Sequence, residues 1–179
     1  MFQRKTLLST ALVATFGFLA LATAPAQAAS TGTINFSGKV LADTCTIAVN
    51  GGATVTLPTV MTAAFGSTVG TTAGDTPFTV ALSGCDTNTA SAQMAFSGSN
   101  IDNTSGDLTN TTTGGSNVRI RLLNSSNQAI NTKTGTNAPN IAVTNGSGST
   151  QMKAQYISTA TATSAGLVTS SVNFTLTYQ

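Results

Sequence analysis

Cys45 and Cys85 are the only thiols of this 179-residue chain, which has no histidine, and its five acids are all aspartates: Asp43, Asp75, Asp86, Asp102 and Asp107. The chemistry open to such a set is narrow. A transition-metal centre needs several imidazole, thiolate or carboxylate donors held together, and two cysteines without histidine give little to build one from. A paired-aspartate or Ser–Lys site is conceivable, yet the sequence has no nucleophile elbow, phosphate-cradling loop or ligand cluster. The charged residues are read as solvated surface, with Asp86-Thr87-Asn88 a turn after the second cysteine. Neither enzyme activity nor a cofactor is expected, and no small-molecule substrate. For the two cysteines, the readings left are a disulfide, free thiols or metal ligation.

The compartment decides among these. Arg4 and Lys5 precede an apolar run from Leu7 to about Ala24, and Ala26-Gln27-Ala28 supplies the small-x-small pattern of a signal-peptidase site. Residues 1–28 are therefore expected to be a cleaved signal peptide. The run is short for a membrane span, and no second long apolar stretch follows. Export makes a Cys45–Cys85 disulfide the default. Closing a loop of about 40 residues stabilises a fold by about 4 kcal/mol in the chain-entropy treatment.

Losing the leader also changes the charge. Of seven basic residues, Arg4 and Lys5 leave with it, so Lys39, Arg119, Arg121, Lys133 and Lys153 face the five aspartates. The mature net charge is near zero, and the whole-chain pI of about 8.7 gives no support to nucleic-acid binding. A charge near zero favours association, as in a protein packed against copies of itself.

The elements that must position these residues are strands. Thr, Ser, Ala, Gly, Asn and Val dominate, and turn residues recur at short intervals, at Asn50-Gly51-Gly52, Gly98-Ser99-Asn100, Thr113-Gly114-Gly115 and Asn145-Gly146. Strands are expected over 32–41, 46–49, 54–57, 78–82, 92–97, 118–124, 153–158 and 167–178. Val118, Ile120 and Leu122 alternate with Arg119, Arg121 and Leu123, a periodicity that a disordered Ser/Thr-rich stalk lacks. The fold class expected is all-β, one antiparallel immunoglobulin-like sandwich. Asn-x-Ser/Thr triplets at Asn103, Asn110, Asn124, Asn145 and Asn173 arise by chance in so Asn-, Ser- and Thr-rich a chain and carry no weight.

The two ends are the informative regions. Val172, Phe174, Leu176 and Tyr178 alternate along the last strand and project to one face, with only Gln179 after them to continue the sheet. Near the other end, Gly32, Ile34, Phe36, Gly38 and Val40 share a face, and in-phase glycines point to close approach to another backbone. This segment is either an ordinary first strand or a detachable one that pairs with a neighbouring molecule.

Taken together, these residues resemble the structural subunits of chaperone–usher fimbriae, and among them the type 1 major subunits. The resemblance rests on residues 32–40 leading to Cys45, Phe78-Thr79-Val80-Ala81-Leu82 leading to Cys85-Asp86-Thr87-Asn88, Asn117-Val118, Lys153-Ala154-Gln155-Tyr156, and a final strand with penultimate Tyr178. Gly166 stands fourteenth from the last residue, where the family's chaperone-recognition motif has a glycine. The resemblance implies an incomplete immunoglobulin-like β-sandwich lacking its final strand, completed by a donor strand from a periplasmic chaperone and then, at the outer-membrane usher, from a neighbouring subunit. It implies a signal peptide at 1–28, a donor extension at 29–38 carrying Gly32, Ile34, Phe36 and Gly38, and a pilin domain at 39–179. Val172, Phe174, Leu176 and Tyr178 would wall the acceptor groove, with Gly166 and the Gln179 carboxylate read by the chaperone. The implied function is a structural subunit of an extracellular fimbrium that polymerises and supports cell adhesion. The alternatives are a minor adaptor or terminator subunit, or a carbohydrate-binding tip adhesin, for which a single domain without Trp offers little.

Overall fold

The computed structural model describes residues 33, 35–38, 45–50 and 54–179. The chain divides into two units, Met1–Gly38 and Lys39–Gln179. In the first, the described residues form no strand, and Phe36 is 90% exposed. The strand expected over 32–41 otherwise lies outside the described residues, as do Gly32, Ile34 and the signal segment.

The second unit is all-β. Its strands are β1 (Thr46–Val49), β2 (Thr72–Ser83), β3 (Ser91–Ser97), β4 (Leu108–Thr109), β5 (Arg119–Leu123), β6 (Asn140–Thr144), β7 (Ser147–Ile157) and β8 (Asn173–Tyr178), with a 3-10 turn at Thr62–Phe65. Every pairing is antiparallel. The path runs β1-β2-β7-β6-β3-β8, and β5 attaches to β7 and carries β4. Alternation supplies the core: Phe78, Val80 and Leu82 from β2, Met152 and Ala154 from β7, Ile120 and Leu122 from β5, Ala92 and Met94 from β3, and Ile141 and Val143 from β6 are all buried. Such rows on both inner faces are what hold a sandwich together.

Local chemistry sets the register. The β6–β7 hairpin closes on Asn145 and Gly146, with φ of 51° and 72°, the left-handed pair that a two-residue turn requires. Pro77 lies inside β2, where a missing N–H would break a ladder, yet the Asn50 N–H donates to Thr79 O on the β1 side. The Pro77 nitrogen shares that phase, and β1 reaches only residues 80–83, so among the described residues the proline faces a stretch of edge that β1 leaves unpaired.

Several sequence expectations need correction. Residues 54–57 form no strand, β7 begins six residues before the expected 153, and the last strand starts at Asn173 rather than 167. β4 and β6 were not anticipated. The charged residues are not all solvated surface: Asp107 is 3% exposed and takes a bidentate contact from Arg121, Nε to Oδ1 at 2.8 Å and Nη2 to Oδ2 at 2.9 Å. The reason is the β4–β5 pairing, which brings these side chains together on the face of β5 opposite Ile120 and Leu122.

Candidate strand-acceptor groove

Both ends of the strand path are unfinished. Among the described residues β1 pairs only with β2, and β8 only with β3. Gln179 fixes the phase of the β3–β8 ladder: its N–H donates to Ser91 O at 2.9 Å, and its backbone oxygen accepts from Ala90 N at 2.6 Å and Ser91 N at 3.2 Å. Counting back in twos, Thr177, Thr175 and Asn173 turn their peptide groups toward Gln93, Ala95 and Ser97. Tyr178, Leu176 and Phe174 therefore turn theirs to the open edge. Their side chains meanwhile face the core, where they are only half-buried.

Alongside that edge lies an apolar cavity of about 230 Å³. Val49 of β1 with Val55 and Leu57 line one side, Val172 and Phe174 the other, and Phe78, Met94, Ile120 and Met152 the floor. Among the described residues, no charged one lines it. A second cavity of about 490 Å³ shares Leu57 with the first and continues past Phe65, Val118 and Tyr156 to residues 163–168. Burial raises the Tyr156 hydroxyl pKa above its ordinary value. The arrangement at the first cavity is lined by apolar side chains and two serines. It offers amides and carbonyls that no described residue pairs, beside an apolar trough that an extended segment with alternate apolar side chains would fill.

The structure brings Val172, Phe174, Leu176 and Tyr178 into one row, the first two on the cavity itself. Gly166 stands apart from them on the rim of the second cavity, where a Cβ would sit 2.6 Å from Ser116 N and 2.7 Å from Gly115 C at φ of 155°, so the crossing admits only glycine. Cys45 and Cys85 form a disulfide with Cα atoms 4.3 Å apart, both buried, which ties the start of β1 to the loop after β2. Sequence reasoning missed Val49, Val55, Leu57 and Met94. Thr54-Val55-Thr56-Leu57 carried the alternation that could have found two of them, but as groove wall rather than as a paired strand. Among the described residues, no group of three or more His, Cys, Asp or Glu could hold a metal ion.

A curled antiparallel sheet with an unfilled gap between its first and last strands defines the fold class of pilus subunits. The P pilus rod subunit PapA superposes on it with a TM-score of 0.60 at 17% identity, covering 75% of this chain and 99% of that one. The chain belongs to the fimbrial protein family, whose profile matches residues 34–179. It is similar to the F17 fimbrial protein of Escherichia coli, with 38% identity over 174 residues covering 91% of this chain and 96% of the relative. The major fimbrial subunit SMF-1 of Stenotrophomonas maltophilia is 39% identical over 170 residues, covering 88% and 99%.

Proposed function

We propose that this chain is a structural pilus subunit whose groove between β1 and β8 is filled by an extended strand from another polypeptide. It is a non-enzymatic building block of an extracellular fimbrium on the cell surface, and adhesion follows from the fibre. The observation that carries the reading is the juxtaposition of the outward peptide edge of Phe174, Leu176 and Tyr178 with the uncharged trough lined by Val49, Val172 and Phe174. Main-chain hydrogen bonds give such a site sequence-tolerant affinity, and alternate side chains set the register. A periplasmic chaperone fills it first. After export and cleavage of the leader at 1–28, the segment 29–38 of the next subunit replaces the chaperone strand at the outer-membrane usher, with Gly32, Ile34, Phe36 and Gly38 turned into the trough. The exposure of Phe36 supports its role as a donor side chain. Gly166 and the Gln179 carboxylate belong to the surface the chaperone reads.

The test is electron microscopy of fibres made when the subunit is co-expressed with its chaperone and usher. Deletion of residues 29–38 after the leader should leave chaperone binding intact and abolish fibres. Normal fibres from the deletion refute the donor assignment.

A further inference from the structure

Residues 158–172, between β7 and β8, form no strand, yet they supply wall to both cavities: residues 163–168 to the larger, Ser170, Ser171 and Val172 to the smaller. A backbone outside any ladder still needs partners for its amides and carbonyls. Here asparagine side chains supply many of them. Asn110 makes four hydrogen bonds: its Nδ2 donates to Ser116 O and Leu167 O, both at 2.8 Å, and its Oδ1 accepts from Thr112 N and Thr169 N, both at 3.0 Å. Asn100 Nδ2 donates to Ser170 Oγ and to Ser171 O, each at 2.6 Å. Asn117 Nδ2 donates to Ala162 O, and its Oδ1 accepts from Ser164 N, both at 3.0 Å. The pairs run in antiparallel order, 100 with 170–171, 110 with 167–169, 117 with 162–164, as a neighbouring strand would. A primary amide is suited to this, because it carries a donor and an acceptor much as a peptide unit does.

We infer that Asn100, Asn110 and Asn117 are positioning residues that hold the outer wall of the acceptor groove at the width of an incoming strand before that strand arrives. The inference rests on the donor-strand reading above. None of the three lines either cavity, so each acts through the wall and not by touching the occupant. A wall fixed beforehand loses less freedom when the groove fills, and so seats a strand faster and more tightly than a loose one. Asn110, whose Asn-Thr-Thr triplet reads in sequence only as a chance glycosylation signal, is the central tie.

The test uses the subunit purified with its co-expressed chaperone and challenged with a fluorescent synthetic peptide of residues 29–40. In Asn110→Ala, peptide uptake should slow by about tenfold and hydrogen-exchange protection of the Thr169 amide should fall by a similar factor. Protection of the β2 and β7 amides of Val80 and Met152 should stay at the wild-type level. Asn110→Asp, which keeps both acceptor contacts but turns a carboxylate oxygen on the Ser116 and Leu167 carbonyls, should slow uptake at least as much. If Asn110→Ala is not recovered folded, Asn100→Ala and Asn110→Asp carry the same comparison. Uptake at the wild-type rate in these variants overturns the inference, whether or not Thr169 loses protection. If the wild type itself takes up no peptide, the donor-strand reading fails, and the inference with it.

Discussion

Opening the Cys45–Cys85 bridge should act on one lip of the groove. The cysteines are 40 residues apart in sequence, and releasing a loop of that size costs about 4 kcal/mol of stability in the chain-entropy treatment. The two halves of the bridge are not equally anchored. Cys85 keeps its own tie, donating its N–H to Gly146 O at 3.0 Å, whereas Cys45 leads into a four-residue strand with one partner. β1 should therefore come away first, taking Val49 from the groove wall. The assay is urea unfolding of wild type, reduced wild type and Cys45→Ala/Cys85→Ala, all with the 29–40 peptide at one saturating concentration, so that the shift reads the fold together with its filled groove. With a slope of about 2 kcal/mol/M, the midpoint should fall by about 2 M in both reduced and double-alanine protein. Hydrogen exchange should locate the loss, with the Asn50 amide, bonded to Thr79 O at 2.8 Å, exposed before those of β7. A midpoint shift under about 0.5 M, or protection lost evenly through β2 and β7, refutes the reasoning.

Two further expectations concern the charged pairs beside β5. Asp107→Ala removes both oxygens that hold Arg121, whose guanidinium pKa is raised chiefly by its hydrogen bond to Asp107. Losing both charge-assisted hydrogen bonds to that partly buried cation should cost about 1.5–3 kcal/mol in urea unfolding, and a cost below about 0.5 kcal/mol would mean that Arg121 finds water instead. The Asp102 carboxyl is held below its ordinary value of 3.8, first by the Ser105 backbone N–H, then by the Ser105 hydroxyl, with Thr104 N–H and Arg119 adding smaller contributions against the desolvation that opposes them. Its folded pKa is depressed, so its contribution is complete above the unfolded pKa and is lost as pH falls through the folded one. Unfolding midpoints measured downward from pH 5 should fall for wild type below about pH 4, and less steeply for Asp102→Asn.

The strands legible in sequence were those with one strongly apolar face. Val118, Ile120 and Leu122 are buried with Arg119 and Arg121 half-buried between them, although Leu123, read on the outward face, is buried too, and the Phe174, Leu176 and Tyr178 row is the face of β8. β6 was missed although Ile141 and Val143 alternate in Asn140–Thr144 and the Asn145-Gly146 turn that ends it was seen. Five residues after a proline make a short signal, and the pairing that reveals it is tertiary. β7 was read too short because Ser147 to Gln151 carry no apolar face, and the ladder to β2 extends them regardless. The Asp107–Arg121 pair and the asparagine ties to residues 158–172 have no local signature, since those partners lie 14 to 71 residues away. At the groove, alternation disclosed one wall, while the opposite wall depends on where the chain between β1 and the 3-10 turn happens to run.

The unfinished path from β1 to β8 has a consequence for counting. Among the described residues its two loose ends open on one trough, so on the proposed reading a single incoming strand uses up that vacancy. A molecule with one such receptacle and one tail to give has a valence of two, one of each sex. On the proposed donor-strand reading, chains of it lengthen with a fixed polarity and do not branch.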